Sequence, residues 1–410
     1  MKSIFIKTFG CTLNQRDGED LVFGLTVAKE EKDASIIVIN TCGVKEQTEN
    51  KIYKYITDSI LPLKNKEIIV CGCLVDINSE KLKTLLPKAK FFGIRDKTKL
   101  ISYLEKYKIK PKNKLMEKHQ ITKAIIIANG CLGNCAYCAV KFARGKLESK
   151  SIAKIIEEVK TAVESGTKEI LLTAQDTACY GLDINTNIAE LLKEIIKIEG
   201  DYKIRLGMGN PQHLKKYKKE ISEIFKSEKI YKFLHVPIQS GSNSVLKKMN
   251  RYYTKEEYLE LIKYFKKNIK DLTLATDIIV GFPTETEKDF KETLELIKEC
   301  KFDIVNISRF GQRKNIEANK YKELPGTIKK ERSRSCTILC STIALLNNKK
   351  LVGKTREILI TEIGKNNTSI GRTIEYKQVV VPKKLEIGKK IKIKIKEARS
   401  GYLFASELKS

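Results

Sequence analysis

Lys123-Ala124-Ile125-Ile126-Ile127-Ala128-Asn129-Gly130-Cys131-Leu132-Gly133-Asn134-Cys135-Ala136-Tyr137-Cys138 joins a short apolar run to three closely spaced thiols. The run Lys123–Ala128 is apolar, brief and followed by glycine, which predicts a buried strand. Cys131, Cys135 and Cys138 follow its carboxyl end in a Cys-x3-Cys-x2-Cys spacing. Three thiolates can bind three irons of a four-iron cluster and leave the fourth iron without a protein ligand. Catalytic metals need such a vacant position, whereas structural sites are closed by a full ligand set. Zinc is the competing metal. The chain has three histidines, His119, His213 and His235, and none falls at zinc-ligand spacing near this run, so spacing and ligand count favour iron and sulfide.

Working outward, strand-like runs recur at Glu169–Thr173, Lys203–Met208, Lys232–Ile238, Leu272–Val280 and Asp303–Phe310, with helical stretches between them. Together with Lys123–Ala128 they predict an α/β fold with an open, partial (β/α)6 barrel, because six units fall short of an eightfold closure. Its chemistry is expected at the carboxyl ends of the strands. Upstream, runs at Ser3–Lys7, Ser35–Asn40 and Glu67–Val70 alternate with helix-period stretches such as Gln15–Lys29 and Lys45–Leu61, an open α/β pattern. A cysteine beside a glycine follows each run: Gly10-Cys11, Thr41-Cys42-Gly43 and Cys71-Gly72-Cys73. Loops after the strands of an open parallel sheet line its ligand crevice, which is a route for these thiols to converge.

A lysine-rich connector, Lys106–Lys118, separates the two series. From about Val352 the pattern turns to short strands without helices, at Arg356–Ile360, Ser369–Ile374, Gln378–Val381, Lys390–Ile395 and Tyr402–Ala405, as in a small OB-like β-barrel. The expected domains are therefore 1–108, an open α/β cluster domain; 119–346, the partial barrel; and 350–410, the terminal β-barrel.

At 410 residues the chain is long enough for two or three domains. No window approaches the roughly 18 unbroken apolar residues of a membrane span. Met1–Gly10 has no charged-then-apolar secretory pattern, so a cytoplasmic protein with no membrane partner is expected. Eleven cysteines, an odd number, serve metals or catalysis in a reducing compartment more often than disulfides. The formal net charge of +29 points to a polyanionic partner, nucleic acid above all, although a lysine-rich solvated surface gives the same balance. Residues 349–410 hold 16 basic and 6 acidic side chains, against 20 and 14 in residues 1–110. A small basic barrel suits an RNA-gripping module, with Lys389, Lys390 and Lys392 as candidate contacts.

The Cys131–Cys138 run resembles the radical S-adenosylmethionine signature, and Lys141-Phe142-Ala143-Arg144-Gly145 beyond it resembles the methylthiotransferase family. Cys11-Thr12-Leu13-Asn14, Asn40-Thr41-Cys42 and Gly72-Cys73 are similar to that family's amino-terminal cysteine motifs. The segments His235–Ser242 and Thr276–Pro283 are similar to its barrel motifs, and the terminal barrel resembles its TRAM domain. Residues Lys141–Leu147 look most like the archaeal and eukaryotic branch, which methylthiolates carbon 2 of N6-threonylcarbamoyladenosine at tRNA position 37.

The resemblance implies two 4Fe-4S clusters. Cys131, Cys135 and Cys138 would hold the one whose open iron chelates S-adenosylmethionine and yields a 5′-deoxyadenosyl radical; Cys11, Cys42 and Cys73 would hold one that carries the sulfur. A second S-adenosylmethionine would methylate that sulfur. Cys73 is preferred to Cys71 because it follows glycine as in the family motif, whereas Cys71 closes an apolar strand and is expected in the core. Cys179, Cys300, Cys336 and Cys340 are expected to pack rather than react. Gln175, Asp176, Asn210 and Gln239 are the implied cofactor contacts, with ordinary turn or helix-cap roles as the alternative. Ser240 and Asp277 carry the same alternative.

One loop departs from the family: Gln312-Arg313-Lys314-Asn315-Ile316-Glu317 stands where many members have Arg-Pro-Gly-Thr-Pro. The implied partner is the anticodon region of tRNA, with the electron and sulfur donors left open. Alternative substrates are another tRNA adenosine or an aspartate of a small-subunit ribosomal protein, and the basic terminal barrel suits a phosphate backbone better than a basic protein. A non-catalytic RNA-binding protein with structural zinc leaves the three separated thiols without a role. A radical enzyme with a different end reaction leaves the amino-terminal domain idle.

Overall fold

The computed structural model describes residues 2–44, 46–107, 109 and 120–408. Most of the connector expected at Lys106–Lys118 lies outside the described residues, as do His119 and Lys45. The chain forms two compact units, one of Met1–Lys118, Ala128–Glu148 and Gly311–Lys320, the other of His119–Ile127, Ser149–Phe310 and Tyr321–Ser410.

The first unit is built on a parallel sheet of β1 (Ile4–Thr8), β2 (Ile36–Thr41), β3 (Glu67–Gly72) and β4 (Lys90–Phe92), in that order. β2 is buried along its whole length, as a central strand covered on both faces requires. Its residues alternate between two cores. Ile37 and Ile39 pack with Ile52, Tyr53 and Ile56 on one face; Ile36 and Val38 pack with Leu21, Leu100 and Leu104 on the other. Cys71 belongs to the second core. β4, three residues long, is too short to show a sequence period. Helix α1 (Thr12–Leu21) stops well before the expected Lys29; the chain turns soon after, at Gly24, where φ is +75°. Helices α2 (Glu46–Tyr55) and α3 (Cys73–Asn78) follow β2 and β3.

The second unit contains β5 (Thr122–Ile126), β6 (Glu169–Thr173), β7 (Lys203–Leu206), β8 (Phe233–His235), β9 (Thr273–Val280) and β10 (Ile304–Arg309). They form two parallel three-stranded groups, β5-β6-β7 and β8-β9-β10. Tyr231 N–H donates to Ile204 O at 2.9 Å and Gly209 N–H to His235 O at 2.9 Å, which joins the groups into an open six-stranded barrel. Capping boxes at Thr254 and Thr286 start two of its helices.

The helix Gly326–Lys349 closes this unit with a buried ion pair, Arg332 Nη1 to Glu285 Oε2 at 2.6 Å. Burial pushes the Glu285 carboxyl up, against the Gly281 N–H and Arg332 that hold it charged. Removing one partner of such a pair strands a buried charge. Arg332→Ala is expected to lower stability by about 3–5 kcal/mol in chemical denaturation, whereas Arg332→Met with Glu285→Leu is expected to recover most of that loss.

The terminal barrel closes in the order β11 (Thr355–Ile363), β12 (Ser369–Arg372), β13 (Gln378–Val381), β15 (Leu403–Glu407), β14 (Lys390–Ala398). Ile358, Ile360, Val379, Ile391, Ile393, Ile395 and Leu403 fill it. It docks on the amino-terminal ends of the partial barrel's strands. Lys232 N–H donates to Ile374 O at 2.7 Å, and the Tyr376 ring packs against Tyr231 and Phe233 at 4.8 and 5.1 Å. The strands' carboxyl ends lie at the other end of the barrel. No helix among the described residues is long and apolar enough to cross a membrane.

Candidate cluster and cofactor sites

The register of the first sheet pairs Thr8 with Asn40, Asn40 with Cys71 and Thr41 with Gly72. The three strands therefore end level, and Cys11, Cys42 and Cys73 leave from one edge. Strand order runs without reversal, so no switch-point crevice exists; the shared edge brings the thiols together instead. Gly72 makes the last of them possible. Its φ is +96°, and a Cβ there would meet Thr41 O at 2.3 Å, so only glycine lets Cys73 open α3 directly from the strand end. A Cβ on Gly10, the neighbour of Cys11, would lie 2.7 Å from Cys42 Sγ.

Cys42 and Cys73 are buried and Cys11 is exposed. Burial raises the Cys42 thiol, and the negative field of Cys11 adds to it. Burial pushes the Cys73 thiol up to about 11, with Arg144 pulling it back down and Cys42 and Cys11 pushing further up. Cys11, Cys42 and Cys73 thus lie near one another at this edge. Cys71 is fully enclosed, and burial above all, with Asp17 and Cys73 adding to it, drives its thiol far above the ordinary range; it stays a neutral core side chain.

The segment Ala128–Glu148 belongs to the same unit. Gly130, with φ +71°, approaches Lys146 O so closely that a Cβ would stand 1.8 Å from it; this pinch closes the loop that carries the thiols. Gly133 N–H donates to Cys131 Sγ at 3.2 Å. A Cβ at Gly133 would lie 3.3 Å from Cys131 Sγ and 3.6 Å from Cys135 Sγ, so both sulfurs turn to one point. Cys138 N–H donates to Cys135 O at 3.0 Å, and all three thiols are half-buried. Half-exposed sulfurs gathered on a glycine-lined loop fit an iron-sulfur group. No set of three or more His, Cys, Asp or Glu side chains among the described residues stands at single-ion spacing; a four-iron cluster takes each sulfur on a different iron.

The helix Val140–Arg144 starts just after Cys138 and carries Arg144 into the sheet edge. Arg144 donates to Asp17 Oδ2 at 2.6 Å, Asn14 Oδ1 at 3.4 Å, Asn129 Oδ1 at 3.3 Å and Cys73 Sγ at 3.3 Å. Asn14 also donates to Phe9 O at 2.7 Å, and Asn40 to Asn14 O at 2.8 Å. Asn14, Asp17 and Arg144 were not anticipated as site residues. The available signal was polar residues on the buried face of α1, at positions where an amphipathic helix should be apolar. The departed loop, Gln312–Glu317, lies in this unit too. Lys314 pairs with Glu80 at 2.6 Å and Ala318 N–H donates to Ala136 O at 2.8 Å.

At the carboxyl ends of the barrel strands, Asp176 and Asn210 act as caps. Asp176 Oδ1 accepts from Ala178 N–H at 3.0 Å and Asn210 N–H at 2.9 Å; Asn210 Oδ1 accepts from Gln212 N–H and from Arg251, both at 3.2 Å. Burial raises the Asp176 carboxyl and lowers the His213 imidazole beside it. Gln175 Oε1 and His213 Nδ1 are enclosed and have no hydrogen-bond partner among the described residues, the condition a polar ligand would relieve. Gln239 is held with φ +76°, its N–H on Asp277 O and its O accepting from Ile279 N–H, both 2.9 Å. Ser240 is buried beside Thr293, and Asp277 accepts from Asn306 at 2.8 Å.

On β14, Ile391, Ile393 and Ile395 point into the terminal barrel while Lys392, Lys394 and Lys396 are exposed. Lys390, also expected on this face, pairs with Asp201 on the partial barrel.

Three family models match the chain: the uncharacterized protein family UPF0004 over residues 3–93, the radical SAM superfamily over 125–297, and the TRAM domain over 349–408. A probable threonylcarbamoyladenosine tRNA methylthiotransferase of Archaeoglobus fulgidus is 41% identical, with 98% of this chain and 97% of that one covered. One of the same name from Methanocaldococcus jannaschii is 36% identical over 97% and 95%. A tRNA-2-methylthio-N(6)-dimethylallyladenosine synthase of Thermosipho melanesiensis is 35% identical over the full length of both. Among solved structures, the radical S-adenosylmethionine methyltransferase TsrM of Kitasatospora setae, with cobalamin and a 4Fe-4S cluster bound, aligns with a TM-score of 0.54 at 13% identity. That match covers 70% of this chain and 66% of TsrM, just under two thirds, and speaks to fold alone.

Proposed function

Since the chain belongs to the methylthiotransferase family of radical S-adenosylmethionine enzymes, we propose that it methylthiolates tRNA, at carbon 2 of N6-threonylcarbamoyladenosine 37. The observation that carries this reading is the 41% identity, over 98% of the chain, to a relative named for that nucleoside. Relatives named for the dimethylallyl nucleoside stand at 34–36% over comparable lengths.

The family's cofactors are S-adenosylmethionine and a 4Fe-4S cluster. In the proposed division of labour Cys131, Cys135 and Cys138 hold the cluster that binds S-adenosylmethionine, and Cys11, Cys42 and Cys73 hold a second one. When bound, these groups supply hydrogen abstraction and sulfur, chemistry that no side chain of the chain provides. The protein's own part is placement. Within one unit Gly133 N–H orients the Cys131 sulfur; within the other, Asp176 and Asn210 fix the loops at the strand ends, and Gln175 and His213 hold buried polar atoms that a polar ligand would satisfy. Gln239, locked in its backbone conformation, completes the set.

The exposed lysines of the terminal barrel are assigned the RNA backbone. Replacing Lys389, Lys392 and Lys394 together with alanine is expected to weaken tRNA binding and to lower the slope of log affinity against log salt by up to about 3, roughly one per phosphate lost. An unchanged slope would remove the barrel from the interface.

The reading as a whole is tested with three anticodon-loop substrates, bearing threonylcarbamoyl, dimethylallyl or no modification at position 37. Nucleoside mass spectrometry after anaerobic turnover is expected to find the methylthio product on the first alone. Product on the dimethylallyl or the unmodified substrate, or on none of the three, would overturn the substrate assignment.

A further inference from the structure

Arg144 is almost completely enclosed, at 4% side-chain exposure. An enclosed guanidinium is stable only when its charge is met. Asp17 meets it through Nη2 at 2.6 Å, and two asparagine oxygens, Asn14 Oδ1 and Asn129 Oδ1, accept at 3.4 and 3.3 Å. That set would suffice to anchor the loop. A further donor, Nε, is turned onto the Cys73 sulfur at 3.3 Å. An N–H from a cation strengthens as its acceptor gains negative charge, so this contact favours Cys73 as thiolate and, on a cluster, favours the more negative, reduced state. Hydrogen bonds to ligating sulfurs and local net charge are the protein's means of setting a cluster's potential.

We propose that Arg144 is a positioning residue of the Cys11–Cys42–Cys73 site, whose Nε–H on the Cys73 sulfur raises the reduction potential of the iron-sulfur group those thiols hold. The proposal rests on the assignment of that second cluster. Asp17 is its counterweight: it fixes the guanidinium's orientation through Nη2 and leaves Nε free for sulfur. The same arginine is carried on the segment that bears Cys131, Cys135 and Cys138, so its hydrogen bond links the Cys73 sulfur to the loop of the other thiols.

The test uses the full-length chain with Cys131, Cys135 and Cys138 replaced by alanine, so that only the second site loads, and follows the cluster by EPR during a redox titration. Arg144→Gln, which keeps a polar side chain but loses the charge, is expected to move the midpoint negative at equal iron content. Arg144→Lys is expected to restore part of the shift, a rescue that a packing role alone would not give. Asp17→Asn, which leaves Arg144 in place and removes the compensating carboxylate, is expected to move the midpoint positive and remains readable if Arg144→Gln loads no cluster. Unchanged midpoints in Arg144→Gln or in Asp17→Asn at full loading would overturn the role of Arg144 alone. A triple-alanine parent that takes up no iron would overturn the second-cluster assignment itself, and the proposal with it.

Discussion

Alanine at Cys131, Cys135 and Cys138 together is expected to reduce cleavage of S-adenosylmethionine to background while about half of the iron remains. The expectation follows from where the sulfurs point. Cys131 and Cys135 both face the position beside Gly133, and the loop that carries them is pinched shut at Gly130. The other free cysteines that sit in the core are walled off: Cys179, Cys300 and Cys336 are buried, and burial pushes the Cys300 thiol up to about 12. Formation of 5′-deoxyadenosine, measured by chromatography, is the readout; cleavage surviving near the wild-type rate would move the cofactor's cluster elsewhere.

Alanine at Cys42 separates the two activities. Cleavage of S-adenosylmethionine is expected to persist within several-fold of wild type, while methylthio product on tRNA falls to background. Cys42 touches Gly10 and feels Cys11 and Arg144, all at the edge of the four-stranded sheet, and none of the barrel strands carries a residue of that cluster of thiols. Loss of both activities together would mean that the two sets of cysteines serve one centre. Cys71→Ala is the control: Cys71 faces the opposite core, with Ile69 and Leu100, and its replacement is expected to cost stability but leave thiolation in place.

Much of the fold was legible because it is written in short apolar runs. All six barrel strands and all five of the terminal barrel lie within a few residues of where alternation or continuous hydrophobicity places them. The thiols after the first three strands were legible for the same reason, since a cysteine beside a glycine at a strand's end breaks the apolar pattern visibly. What escaped the sequence is what depends on distant partners. Arg144 reaches Asp17 across 127 positions; the place of Asp17 on the inward face of α1 is unusual for a charge, but nothing local names its partner. Lys390 looks like any other lysine of a basic strand until Asp201, 189 positions away, meets it. The docking of the terminal barrel on the amino-terminal ends of the strands is likewise carried by single contacts, Lys232 to Ile374 and Tyr231 to Tyr376, that leave no period behind. Asp176 and Asn210 had two readings, cap or cofactor contact; both side chains cap, and Asp176 Oδ2, like Gln175 Oε1 and His213 Nδ1, still has no hydrogen-bond partner among the described residues.

Iron and acid-labile sulfide per chain, measured after anaerobic reconstitution, decide whether one chain houses the two separate iron-sulfur sites proposed above. About eight of each are expected, falling to about four when either Cys131, Cys135 and Cys138 or Cys11, Cys42 and Cys73 are replaced by alanine. A wild-type value near four, or stoichiometric zinc in place of iron, would contradict that proposal.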